Sequence, residues 1–297
     1  MLLAVLAIVV VAGASLYLFL GSQAALDYVV RRAVQEAQGH LVIEGAEGSL
    51  LSTVRIAHIK WTGDELDVDA RDTAVAWSPF DLLSRKVNVS GLGAKRLTVD
   101  FKKAESKSQG GMPATLALPL EVDVRNIGVE RLEWKTVTQQ GSVTGIVFNY
   151  AGGQVRHEIR DMRFVTEQGT LAGTARVGAN PPYELSADVA FEGDGTWKTA
   201  NAKLAVSGTV ERLGIDARGA YHEADVAIKA TVTPFESALL TSADIEARNV
   251  DLAKFAASLP STQLALTLAA RPEGSGFRGT LRASNATPGP IDGNRVP

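Results

Sequence analysis

The sequence predicts an all-β protein on a membrane tether. An N-terminal transmembrane helix and a short amphipathic helix lead into an extended, curved, mainly antiparallel repeating β-sheet that forms an apolar-lined groove. Three observations carry this. Residues 1–20, MLLAVLAIVVVAGASLYLFL, hold no charge, and only Ser15 and Tyr17 interrupt them with polar groups. From His40 onward apolar and polar residues alternate with a period of two, in short runs divided by Gly, Asp-Gly, Asn and Pro. Aromatics make up only 6% of the chain while Ala, Val, Leu and 28 Gly dominate, which suits many thin strands better than one aromatic-packed core.

At about 1.5 Å per residue the first run spans roughly 30 Å as a helix, the thickness of a bilayer's hydrocarbon core. A cleaved signal peptide is the alternative, with an apolar region of about 7–15 residues closed by a small-x-small site. The only candidate site, Ala12-Gly13-Ala14, lies inside the run, and cleavage there would leave SLYLFL on the mature chain. Residues 1–21 therefore read as a signal anchor, ahead of a signal peptide or a buried core helix. Nothing basic precedes the run, so counting charges alone would put Arg31 and Arg32 in the cytoplasm. The favoured explanation is a true start upstream of Met1, because the strand-rich remainder of the chain looks built for a compartment outside the cytoplasm.

A chain of 297 residues, 45% of them apolar, can hold one large all-β unit or two ordinary domains. Its 30 basic and 33 acidic residues are mixed along its length with a net charge of -3, so no basic stripe points to nucleic acid. The absence of cysteine excludes disulfides, zinc-thiolate sites, iron-sulfur clusters and thiol nucleophiles.

In residues 22–39 Ser22 can cap a helix whose Leu26, Val29, Val30, Ala33, Val34 and Ala37 fall at helical spacing and whose exit is Gly39. It either closes the first edge of the sheet or lies on lipid. Residues 40–101 form a first groove segment with strands LDVDA (66–70), VNVSG (87–91) and RLTVDF (96–101). Residues 102–115, beginning KKAESKSQGGMP, lack periodicity and read as a mobile loop inside one architecture. Residues 116–297 form a second segment, opening with LALPLEVDV (116–124) and continuing in strands spaced near ten residues. Two helical fragments, PFESALL (234–240) and DLAKFAASL (251–259), interrupt it late. The chain ends on TPGPIDGNRVP with no capping element, so the protein is read as continuing further.

A search for chemistry finds little. His40, His58, His157 and His222 are far apart in unrelated contexts, with neither metal-site nor triad spacing. Asp64, Glu65, Asp67 and Asp69 alternate with apolar residues as a solvated strand face, without the glycine-turned loop of a calcium motif. The run from Gly274 to Gly279 satisfies G-x-G-x-x-G, but a strand rather than a phosphate-binding helix comes after it, so it reads as a hairpin turn. The sequons at Asn88 and Asn285 are given no role. No catalytic, cofactor or metal residue is assigned, and an enzyme is a poor hypothesis.

Several stretches resemble one family: LVIEGAEGSLLSTVRIAHIKW (41–61), VAWSPFDLLSRKVNVSGLGAKRLTVDF (75–101), SNATPGPIDGNRVP (284–297) and the anchor. Together they are similar to the TamB subunits of the translocation and assembly module, within the AsmA-like group of Gram-negative envelope proteins. The resemblance implies an inner-membrane anchor and a long periplasmic β-groove carrying phospholipid acyl chains toward the outer membrane. It also implies a partner barrel of the outer-membrane insertase type (TamA-like) and a role in assembling outer-membrane proteins such as autotransporters. Family members continue well beyond this length.

The residues by themselves lead to a compatible expectation, since a sheet with one continuous apolar face must curl around itself or hold something apolar. Candidate lining residues are Leu116, Leu118, Leu120, Val122 and Val124, then Leu185, Ala187, Val189 and Phe191, then Val226, Ile228, Ala230 and Val232. Alternation alone leaves open that they are the core of a closed sandwich. From another class, an anchored scaffold that binds clients by strand addition is the alternative.

Overall fold

The computed structural model describes residues 17–102, 114–236, 239–255, 259–273 and 276–289. Most of the expected membrane helix, nearly all of the loop 102–115 and the last eight residues lie outside them. Among the described residues no helix is long and apolar enough to cross a membrane. The chain divides into two compact units, Met1–Pro113 with Leu118–Gln154, and Ala114–Ala117 with Val155–Pro297.

The first unit holds helix α1 (Gln23–Glu36) and strands β1 (Leu41–Gly48), β2 (Thr53–Thr62), β3 (Leu66–Ser78), β4 (Lys86–Phe101), β5 (Glu121–Lys135) and β6 (Gln140–Gly152), adjacent in that order. Ser22 caps α1 as expected, its hydroxyl accepting from the Ala25 N–H at 3.3 Å. Ala25 and Leu26 are buried, Val30, Ala33, Val34 and Ala37 half-buried, and Val29 exposed. The helix serves the edge of the sheet. The Gln23 amide donates to Ala46 O at 2.8 Å and accepts from Gly48 N at 3.1 Å, so one side chain occupies the outer edge of β1 as a neighbouring peptide group would.

All pairs in this unit are antiparallel except β4 and β5, which run parallel from Lys86↔Glu121 to Asp100↔Lys135. A parallel neighbour needs a crossover of a dozen or more residues, and the stretch between Phe101 and Glu121 supplies it. Three sequence expectations change here. VNVSG and RLTVDF are parts of the single strand β4. LALPLEVDV is not one strand: Leu116, Leu118 and Leu120 sit in the approach, and pairing begins at Glu121, after Pro119, which has no N–H to give a ladder.

The six strands share a seam. The ladder omits Gly45 opposite Ala57, Ala57 opposite Asp72, Asp72 opposite Lys95, Lys95 beside Glu130, and Glu130 opposite Gly145. Gly45, Asp72 and Gly145 have φ of 63°, 51° and 59°. On β1 the half-buried residues flanking the seam, Ile43 and Ala46, are three apart instead of two, as are Ile59 and Ile56 on β2. A one-residue slip turns every later side chain to the other face. Because the neighbouring strands slip at the same level, their apolar sets stay together.

The second unit contains β7 (Arg156–Val165), β8 (Gly169–Gly178), β9 (Glu184–Gly193), β10 (Asn201–Thr209), β11 (Arg212–Tyr221), β12 (Ala224–Val232), β13 (Leu240–Val250), β14 (Leu264–Glu273) and β15 (Gly276–Asn285). Each described pair is an antiparallel neighbour in sequence. Two-residue turns join β10 to β11 and β11 to β12, the latter with His222 at φ 53°. The two expected helical fragments lie partly outside the described residues, at 237–238 and 256–258. Among the described residues strand β13 already begins at Leu240, and a 3-10 turn, Leu252–Lys254, comes after Asp251. The Asp251 carboxylate accepts from Thr262 N at 2.9 Å and Ala253 N at 3.2 Å, so it serves this turn and the approach to β14.

Candidate functional site

The second unit carries one apolar face that crosses all nine strands in register. One row runs Met162, Gly173, Val189, Leu204, Ala217, Ile228, Ile245, Leu268 and Leu281 from β7 to β15. A second row joins Phe164, Leu171, Phe191, Ala202, Gly219, Val226, Ala247, Leu266 and Ala283. On the other flank Ala187 meets Val206, Ile215 and Ala230, while Leu185 meets Gly208, Leu213 and Val232. The eight candidates on β9 and β12 thus fall pairwise into four rows, bridged by β10 and β11.

The face is tightly set between neighbours, and among the described residues no second layer buries it. Ala243 and Ala247 are buried, most of the rest are half-buried, and Leu204 and Val226 are each 36% exposed. A closed sandwich would bury Leu, Ile and Val completely. Among the described residues no large side chain is fully buried. Three rows about 6.6 Å apart on nine strands about 4.8 Å apart, with a fourth on six of them, outline roughly 650 Å², just above the about 300–600 Å² of the largest apolar patch of a typical soluble monomer.

The opposite face is a mosaic of charge. Arg218 pairs with Asp216 at 3.4 Å, Arg248 with Glu246 at 2.5 Å and Arg271 with Asp244 at 2.9 Å, all exposed. Shallow hollows open there where alanines stand between long side chains, one lined by Lys203, Asp188, Asp216 and Arg218, another by Lys229, Asp244, Glu246 and Arg282. They are gaps in a solvated surface, with no group of converging catalytic side chains.

The first unit has a comparable face. Ile43, Ile59, Ala70, Leu97, Leu132 and Val143 form one row, and Leu41, Trp61, Val68, Val99, Trp134 and Gly141 another. Gly141 lets the Trp134 ring lie across it, since a Cβ there would meet Cζ2 at 2.2 Å. Of the five candidates from Leu116 to Val124, Val122 pairs with Val87 and Gly152, and Val124 with Val89 and Tyr150. Burial pushes the Tyr150 phenol up from its ordinary value. Leu116 belongs to the second unit, bonded through its N–H to Ala179 O at 2.8 Å, whereas Leu118 bonds Gly153 O at 3.1 Å within the first. The candidate set is divided between units, and Leu116, Leu118 and Leu120 are half-buried connecting residues.

The histidines remain dispersed. His40 Nδ1 lies 2.6 Å from Thr62 O, and His157 Nε2 lies 2.8 Å from Leu116 O. His222 sits on a turn against Tyr221. His58 meets two carboxylates, Asp69 at 2.8 Å and Glu44 at 3.2 Å, across β1, β2 and β3. The Asp69 hydrogen bond, then that of Glu44, holds its pKa above the ordinary 6.5. Burial pushes Asp69 up, but its bonds from His58 and Arg71 together hold it below 3.8. Sequence spacing could not reveal this trio, which strand pairing assembles. Asp67 pairs with Lys102 at 2.7 Å. Among the described residues no cluster of three His, Asp or Glu side chains could hold a metal ion. After Glu273↔Gly276, strand β15 occupies the place where a phosphate motif requires a helix.

Comparison with protein-family models, with curated proteins and with solved structures finds no match to this chain.

Proposed function

We propose that the chain is a non-enzymatic, inner-membrane-anchored β-groove protein of Gram-negative outer-membrane biogenesis, of the TamB and AsmA-like kind. Its work is to carry phospholipid between membranes by the acyl chains and to support assembly and secretion of outer-membrane proteins such as autotransporters. The observation behind this reading is the uncovered row from Met162 to Leu281, apolar at every one of nine strands. Lipid tails suit such a face because they need no directional partner and can slide from strand to strand. The mechanism is passive, so no single side chain is essential and an inserted charge blocks transit. The N-terminal apolar run would fix the protein in the inner membrane with its bulk in the periplasm, and a TamA-like barrel would be its outer-membrane partner.

The test is to purify the full chain from cells and extract it with organic solvent. Co-purifying phospholipid, reduced at least about fivefold in Ile228→Glu, is the expected result, since acyl chains would have to cover a hydrated carboxylate. A folded, lipid-free preparation contradicts it.

A second reading rests on strand β15. It forms an edge of the second unit's sheet, with Phe277 60% and Leu281 67% exposed, and an unpaired edge can add a client strand. A scaffold of this kind would yield protein adducts and no lipid from crosslinkers on the apolar face.

A further inference from the structure

We propose that the turn between β3 and β4 is a second membrane foot, dipping into the surface of the same bilayer that the N-terminal run enters. This rests on the reading of that run as an anchor, and three observations lead to it.

The turn, Pro79–Ser84, is a 3-10 element whose apolar residues point away from the sheet. Phe80 is 56%, Leu82 41% and Leu83 87% exposed. A turn between two strands normally carries polar residues, and three large apolar ones in six positions carry a cost in water that lipid removes. Burying a Leu or Phe side chain in lipid is favourable in proportion to its apolar area, so a few such residues make a useful secondary contact beside an anchor.

The turn is also joined to the N-terminal run. The Tyr17 ring stacks on Phe80 with centroids 6.2 Å apart, and Tyr17, Leu18 and Phe19 are themselves more than half exposed. Aromatic rings of this kind favour the headgroup level of a bilayer. The apolar surface is therefore continuous from the end of the run to the tip of the turn.

The charges are arranged to match. The one acid in the turn, Asp81, is held at its base by the Asn88 amide, which donates to Oδ2 at 2.9 Å. Arg85 and Lys86 come directly after the turn and are exposed, with Lys86 paired to Glu121 at 3.3 Å. This order, an apolar tip with Arg85 at its root, fits an anionic lipid surface better than a second copy of the chain, on which the arginines would face one another.

The chain has no cysteine, so single labels can be placed at will. The full chain is reconstituted in vesicles of phosphatidylethanolamine and phosphatidylglycerol, carrying an environment-sensitive NBD label at Leu83→Cys, Phe19→Cys or Glu223→Cys. The expected result is a blue-shifted emission quenched by about half or more by nitroxide-bearing lipids at positions 83 and 19, with position 223 left in water. Lipid contact at 19 with water at 83 overturns the foot and leaves the anchor standing, while water at both positions overturns both. A shift at 83 that tracks protein concentration and ignores nitroxide lipid assigns the turn to self-association and overturns the foot. Leu82→Cys repeats the measurement if Leu83→Cys unfolds the protein.

Discussion

The two units solve the same problem in different ways. Both must keep an apolar set on one face of a sheet while the strands bend. The first slips all six strands at one level, along the line Gly45, Ala57, Asp72, Lys95, Glu130 and Gly145. The second confines its slips to single strands, at Asp161 on β7 and at Asn249 and Thr241 on β13. A slip shared by neighbours is a collective feature, so damage at one position is felt across the sheet. An isolated bulge relaxes locally.

Substitutions at the two kinds of slip should separate them. Gly45→Val forces a β-branched residue into φ 63° and drives a Cβ to 2.7 Å from Ala57 Cβ. Strain and overpacking together should cost the first unit about 3–5 kcal/mol in urea unfolding. Asn249→Val, at φ 55° in an isolated bulge, should cost about 1–2 kcal/mol. Equal costs would mean that the seam is six independent bulges.

The next effect separates an uncovered face from a core. Ile228→Glu should change the stability of the second unit by less than about 1 kcal/mol while abolishing lipid retention, because the carboxylate can reach water. A loss of about 3–5 kcal/mol would mean that a second layer covers the face.

A smaller effect is set by Asp251, which accepts two backbone N–H bonds before β14. Asp251→Ala should lower the unfolding free energy measurably, by less than Asn249→Val does, with Asp251→Asn retaining most of the wild-type stability. The bond from Thr262 N–H, opposed by burial, holds its carboxyl below the ordinary 3.8. Its contribution is therefore present above that pH and fades as pH falls through the folded value.

The smallest effect distinguishes the units by pH. The raised His58 pKa contributes stability below pH 6.5 that is lost as pH rises through its folded value. The lowered Asp69 pKa contributes above pH 3.8 and is lost as pH falls. The trio is therefore strongest between those limits. Its contribution should be a few tenths of a kcal/mol. His58→Gln should flatten this part of the first unit's profile and leave the second unit's unchanged.

These differences also explain what could be read from the sequence. The period-two pattern announces the strands of the second unit because most keep one phase from end to end, as Leu185, Ala187, Val189 and Phe191 do. It fails in the first unit where the phase slips: the run SGLGAK inside β4 resembles a turn because Gly91 and Gly93 lie in a bent, continuous strand. The parallel pairing of β5 is hidden because the crossover 102–120 has no pattern of its own, and Pro119 is masked by the leucines around it. The cap at Ser22 is legible as a local rule, whereas Gln23 bonding to Ala46 and Gly48 depends on residues more than twenty positions away. The apolar face is legible in content and not in extent, since β10 and β11 join the candidate rows only through register.

The central claim is that the row through Ile228 contacts lipid. The direct measurement is a photo-crosslinker placed at Ile228 and, one residue on, at Lys229 of the opposite face, in the full chain in bacterial cells. Phospholipid adducts at 228 and none at 229 are the result this account requires. Protein adducts alone at 228, or lipid captured equally at both positions, would contradict it.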